Sequence, residues 1–149
     1  MAMFSFRLAQ VLRLQQAIED MEKRELQLRL GALARSELAL AQAQAQRSCF
    51  VGRLQQAEAS GLSAAELVTW RRWYPVLTEL EVQRQQEAAV ALEAADEQRQ
   101  QVQLARLERR TLEQLQERQK EKFAETQEQQ EQTMLDELAV QSWPHEECL

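Results

Sequence analysis

The side chains that could act as a nucleophile, a general base or a metal ligand are few and scattered. The only histidine, His145, stands near the end of the chain, and the two cysteines, Cys49 and Cys148, are far apart with no CxxC spacing. We expect the histidine to be solvated and the cysteines to be free thiols in a reducing compartment. The pattern therefore predicts no catalytic residue, no metal ligand and no cofactor site.

Carboxylates are plentiful, but their spacing favours solvent-exposed helix faces. Glu113, Glu117 and Glu121 alternate with Arg118 and Lys122, a pattern that supports pairing between residues one helical turn apart. Acid–base catalysis needs a desolvated carboxyl with a shifted pKa instead. No Walker loop, GxGxxG, GxSxG or HExxH motif is present. We do not expect an enzyme.

The composition predicts long helices rather than a compact globule. Ala, Leu, Glu, Gln and Arg dominate, and the 149 residues include only 3 Gly and 2 Pro. The N-terminus does not read as a signal peptide, and no run of 18 apolar residues could span a membrane. The net charge of −6 argues against nucleic acid as the main partner. We expect a soluble, cytoplasmic, all-α protein.

One segment combines a helix stop with a helix start. Gly61 suits the left-handed position after a helix C-terminus. Ser63, followed three residues later by Glu66, is a capping box. The segment predicts a helix over about 4–59 and a turn at about 60–63.

Apolar residues recur every seven positions on both sides of this turn. Leu26, Leu33, Leu40 and Leu54 share one register, which Leu12 extends and Arg47 interrupts. After the turn, two registers carry the apolar residues Trp70, Leu77, Ala91, Ala105 and Leu112, and Tyr74, Ala88, Ala95, Val102 and Phe123. A seven-residue repeat is typical of a left-handed coiled coil. The fold class is therefore a long two-helix antiparallel coiled-coil hairpin.

Pro75 predicts an interruption soon after the turn, because proline lacks an N–H and disfavours helix at the preceding residue. We expect a short helix over about 64–73, a kink, and a long helix over about 75–140. Residues 1–141 would form a single coiled-coil domain, and 142–149 a frayed tail. The second helix is the longer one, so roughly its last 20 residues should overhang.

Charge is unevenly divided between the two predicted arms. Residues 1–75 carry 10 Lys/Arg against 7 Asp/Glu, whereas residues 76–149 carry 8 against 17. Opposite net charges favour the side-by-side pairing of the arms, although such surface effects are weak and screened by salt.

Aromatic residues cluster after the turn, and two interpretations are open. Trp70, Trp73 and Tyr74 are interleaved with two arginines, and antiparallel pairing would bring Phe50 beside the Trp73 region. The cluster could pack the seam, or it could form a partner-binding surface rich in Trp and Arg. Trp73 lies outside both registers, so we expect it to point partly outward. Nucleic-acid intercalation fits the same residues less well, given the acidic total.

The opposite end offers the same two interpretations. Antiparallel pairing brings the stretch with Phe4, Phe6 and Leu8 beside the stretch with Leu112 and Phe123. These residues could pack together in the seam, which we favour, or they could insert into a partner.

These residues resemble a known family. The opening Phe4-x-Phe6-Arg7-Leu8, followed by Val11, Leu12 and Leu14, is similar to the start of FliJ, the flagellar type III export protein. The stretches Leu107–Arg118 and Glu131–Ala139 resemble its C-terminal pattern. The resemblance covers nearly the whole chain.

The resemblance implies a central stalk of the flagellar export apparatus, peripherally associated with the inner membrane. Its expected partners are the hexameric export ATPase, the cytoplasmic domain of the export gate protein, and export chaperones. Carried over by position, the ATPase-facing residues are Phe4, Phe6, Leu8, Leu112, Leu115 and Arg118. The gate-facing residues are Phe50, Trp73, Leu77, Leu80 and Arg84. Two alternatives stay open: the equivalent stalk of an injectisome, and a generic coiled-coil scaffold that works as a dimer.

Overall fold

The computed structural model describes residues 3–143 of the 149, and two long helices make up nearly all of them. Helix α1 spans Ala9–Ala59 and helix α2 spans Ala64–Ser142. The two helices pack against each other, and the described residues include no strand. The predicted all-α helical hairpin is confirmed. His145, Cys148 and the tail beyond Trp143 lie outside the described residues.

The turn has the local chemistry that the sequence predicts. Gly61 has φ of +87°, a left-handed conformation that a side chain would strain. The Glu66 N–H donates to Ser63 Oγ at 3.3 Å, and the Ser63 N–H donates to Glu66 Oε2 at 3.4 Å. The capping box is confirmed, and it begins α2 immediately after the turn.

Pro75 does not divide the second arm. Helix α2 continues through it, so the predicted separate helices over 64–73 and 75–140 are wrong. A proline inside a helix costs about 3 kcal/mol, but α1 holds the helix on both sides of it. Trp70 stacks on Phe50 before the proline, and Glu81 binds Arg47 after it.

The first helix also begins later than predicted. The residues before Ala9 are not helical, although the sequence predicted helix from about Phe4. The Phe4 ring lies 5.7 Å from the Phe123 ring, and Phe6 is buried. We attribute the late start to this packing, which ties both phenylalanines down outside the regular helix.

The described residues form two compact units. The turn unit comprises residues 20–104, and the terminal unit comprises residues 3–19 with 105–143. In the turn unit, Arg29 Nη1 donates to the Ala94 carbonyl at 3.0 Å, far from the turn, and Phe50 meets Trp70 close to it. This order of contacts shows antiparallel pairing. The single domain over 1–141 stays a prediction.

The buried seam of each unit is narrow. Its buried apolar residues are Ala43, Ala95 and Val102 in the turn unit and Phe6, Leu12 and Ala105 in the terminal unit. No large side chain among the described residues is fully enclosed. Small alanines let the helices approach closely but bury little area. Polar contacts therefore contribute a larger share of the stability of helix pairing than they would in a thick core.

Candidate partner-binding surfaces

We name the turn surface after the five gate-facing residues predicted from the sequence, all of which lie in the turn unit. Trp73 is 58% exposed, which confirms that it points outward. Leu77 and Leu80 are half-buried on the same helix. Arg84 Nη1 lies 2.9 Å from Glu87 Oε2. The spacing of these four residues along α2 is that of a single helix face.

Phe50 joins the aromatic cluster of α2 across the hairpin, as the sequence predicts, and its gate-facing role stays a prediction. Its ring centroid lies 5.2 Å from that of Trp70, with the rings tilted by 46°. Within the expected region around Trp73, the ring that meets Phe50 is that of Trp70, which belongs to a seam register, whereas Trp73 does not. The stack partly covers the rings of Phe50 and Trp70. Phe50 therefore packs beneath the turn surface and adds little exposed area to it.

Sequence reasoning missed two exposed valines near Trp73. Val76 is 53% exposed and Val68 is 52% exposed. Val76 stands three residues after Trp73 and four before Leu80, so a helical projection of the exposed face would have found it. Together with Trp73 it gives the turn surface an apolar centre, which Arg71 and Arg72 flank in sequence.

We name the terminal surface after the six predicted ATPase-facing residues, which the structure separates into packed and exposed groups. Phe6 is buried, Phe4 stacks on Phe123, and Leu8 and Leu112 are half-buried. Leu115 and Arg118 are exposed. Phe6 therefore belongs to the packing of the terminal unit, whereas Leu115 and Arg118 are available to a partner.

Among the described residues, the last part of α2 is almost wholly exposed. Every residue from 124 to 143 except Gln127 is exposed, as the length difference between the helices predicted. The segment contains five acidic residues and no lysine or arginine. Its exposed apolar side chains include those of Met134, Leu135 and Leu138.

Charged residues connect the two helices inside each unit. Arg47 Nη1 lies 2.7 Å from Glu81 Oε2 in the turn unit. The pKa of Arg47 is raised above its usual value, mainly by this hydrogen bond and the charge of Glu81, with a smaller contribution from Tyr74. The arginine that interrupts the leucine register is therefore paired across the hairpin.

A second interruption of that register escaped the sequence analysis. Glu19 lies seven residues from both Leu12 and Leu26, so it is a second polar position on the register besides Arg47. Glu19 is buried and hydrogen-bonds Arg109, and Arg106 Nε lies 3.5 Å away. The pKa of Arg109 is raised, first by its hydrogen bond to Glu113 and then by the bond to Glu19.

The described residues contain no group of His, Cys, Asp or Glu that could hold a metal ion. Within the same part of the chain, no helix is apolar enough over sufficient length to cross a membrane. Cys49 is exposed as a free thiol. The depressions on the helix faces are open to solvent, including the one beside Arg47 and Glu81. What this geometry offers is exposed side chains for partners.

The described residues define an all-α helical hairpin that leaves large apolar side chains exposed. The chain matches the family model described as the flagellar FliJ protein over residues 3–147. The chain belongs to the FliJ family and is a flagellar export-associated protein. Comparison with curated proteins and with solved structures found no match.

Proposed function

We propose that this chain is a non-enzymatic central stalk of the flagellar type III export apparatus. It binds and stimulates the export ATPase ring, contacts the cytoplasmic domain of the export gate protein, and handles export chaperones. Family membership supports the association with export. The observation that carries the finer proposal is the contrast between two neighbouring tryptophans: Trp70 packs on Phe50, while Trp73 stays 58% exposed.

The turn surface is the proposed contact with the export gate. An exposed tryptophan beside arginines has the composition of an interface hot spot. Trp73 and Val76 supply apolar area, while Leu77 and Leu80 form the half-buried base beneath them. Arg71 and Arg72 directly precede Trp73 in the sequence, so the complementary site on the gate would be an apolar cleft with acidic residues near it.

The terminal surface is the proposed contact with the ATPase ring. Leu115 and Arg118 are its exposed members. Phe4 and Phe6 act from beneath by holding the N-terminal segment against α2. The acidic end of α2 after Phe123 carries no compensating basic residue up to residue 143, so a basic ring interior would complement it.

The stalk works in the cytoplasm and associates with the inner membrane only through the export apparatus. Its action there supports flagellum assembly, and through it motility and chemotaxis. A chaperone that has delivered its cargo would be a further protein partner.

The experiment that tests this function measures ATP hydrolysis by the export ATPase of the same organism while purified chain is added. We expect stimulation by the wild-type chain and its loss with Leu115→Glu, since a charge replaces an exposed apolar contact. Gln42→Glu, at an exposed position of α1 that belongs to neither named surface, is the matched control and should stimulate normally. An ATPase indifferent to the wild-type chain contradicts the proposal.

A further inference from the structure

The leucine register of α1 contains charges of opposite sign. Seven positions spaced seven residues apart run from Leu12 to Leu54. Five of them are leucine, and the other two are Glu19 and Arg47. A leucine heptad of this length also suits a parallel coiled coil between two copies of a chain, so the two charges bear on which partner α1 selects.

In the terminal unit, the charge on this register is satisfied by α2. The Glu19 side chain is 3% exposed, and it hydrogen-bonds Arg109 while Arg106 lies 3.5 Å away. Arg109 also binds Glu113 at 2.7 Å, which holds the arginine in place. A carboxylate buried this deeply needs such partners, because burial without them costs several kcal/mol.

In the turn unit, the signs are reversed. Arg47 on α1 lies 2.7 Å from Glu81 on α2, whose side chain is 13% exposed. Farther from the turn, buried Gln98 donates to the Glu22 backbone carbonyl at 3.0 Å and also bonds the Glu22 side chain. Glu19, Arg47 and Gln98 thus each meet a complementary group of the other helix.

A parallel dimer in register would place every one of these residues against its own copy. Glu19 would face a second Glu19, and Arg47 a second Arg47. On α2, Glu81 and Arg109 would likewise face themselves. Like charges inside a seam cost free energy through both repulsion and desolvation.

We propose that these seam charges direct α1 to pair with α2 of its own chain and exclude a second copy of this chain as a parallel partner. Apolar heptads supply attraction that does not distinguish the two arrangements. The oppositely charged layers are satisfied only in the antiparallel hairpin. They therefore act as specificity elements, as polar seam residues do in other coiled coils.

The test is the mass of the chain in sedimentation equilibrium over a wide concentration range. The wild type should stay at its monomer mass of 17.3 kDa. A four-leucine variant (Glu19→Leu, Arg47→Leu, Glu81→Leu, Arg109→Leu) removes the charged contacts and completes the leucine register. We expect its mass to double as concentration rises, with helicity retained in circular dichroism.

Two further variants separate the seam charges from a general gain in hydrophobicity. The control replaces the same number and sign of exposed charges, in Arg24→Leu, Glu37→Leu, Glu97→Leu and Arg110→Leu, and should stay monomeric. The swap Arg47→Glu with Glu81→Arg keeps opposite charges across the hairpin, and it should also stay monomeric. It keeps the proposal testable if the four-leucine variant does not fold.

Four results would overturn the proposal. They are a wild-type dimer, a folded four-leucine variant that stays monomeric, a control that dimerises as strongly as the four-leucine variant, and a swap variant that dimerises. None of these results depends on the export ATPase or the gate, so the proposal stands or fails independently of the proposed function.

Discussion

Replacing Trp73 by alanine should weaken binding to the export gate while leaving the hairpin folded. A tryptophan has about 250 Å² of surface, and Trp73 is 58% exposed, so about 145 Å² is available to a partner. At about 25 cal/mol per Å² this area is worth about 3.6 kcal/mol. Ordering the side chain on binding costs about 1 kcal/mol, which leaves about 2.5 kcal/mol.

A loss of about 2.5 kcal/mol corresponds to a Kd about 60-fold higher. Isothermal titration of the cytoplasmic domain of the gate protein with wild-type chain and with Trp73→Ala measures this change. The matched control is Trp70→Ala, because Trp70 is half-buried and stacks on Phe50 at 5.2 Å. That variant should lower the free energy of unfolding in urea by about 2 kcal/mol.

The two variants should therefore change different measured quantities, the Kd for the gate domain and the urea midpoint of unfolding. Trp73→Ala should change Kd and leave the urea midpoint nearly unchanged, whereas Trp70→Ala should shift the midpoint. If Trp73→Ala lowers the midpoint as much as Trp70→Ala does, Trp73 is a packing residue and the reasoning is refuted. An unchanged Kd would show that the turn surface is not the gate contact.

Three other predictions concern the stability of the hairpin, measured as the free energy of unfolding in urea. Gly61→Ala should lower it by about 1 kcal/mol, because φ is +87° there and a Cβ strains the left-handed conformation; an unchanged value would contradict this. Glu19→Ala should lower it by about 2 kcal/mol, below the full cost of breaking a buried pair because its two arginines are partly exposed; a rise in stability would refute the assigned role. Arg47→Lys should make stability fall as pH rises above about 10, whereas the wild type should show no such fall from this pair. The pKa of Arg47 is raised by Glu81, so its contribution is lost only as pH rises through that high pKa, while lysine titrates near 10.4; identical pH profiles would contradict this.

The errors of the sequence analysis have physical causes that particular residues illustrate. Pro75 predicted a broken helix from a local rule, but contacts with α1 on both sides of it hold α2 together. Phe4 and Phe6 fit a helical pattern, yet they pack on α2 from outside the helix. Glu19 was overlooked, although its seven-residue spacing from Leu12 and Leu26 was readable.

The candidate surfaces could be predicted only in part. The exposure of Trp73 followed from its position outside both registers, because a heptad pattern states which residues face the seam. The burial of Phe6, and the choice of Trp70 as the partner of Phe50, depend on how the two helices stagger and rotate against each other. Neither the stagger nor the rotation is contained in the spacing of residues within one helix.

Local chemistry in the sequence was sufficient for the helical class, the turn and the antiparallel arrangement. Gly61 and the Ser63–Glu66 capping box act within a few residues, so their effect does not depend on distant neighbours. The tertiary structure decided what the seam charges do, because a charge interacts with whatever lies opposite it. In the sequence alone, Glu19 and Arg47 are interruptions of a leucine repeat. In the hairpin each lies opposite a residue of opposite charge on α2.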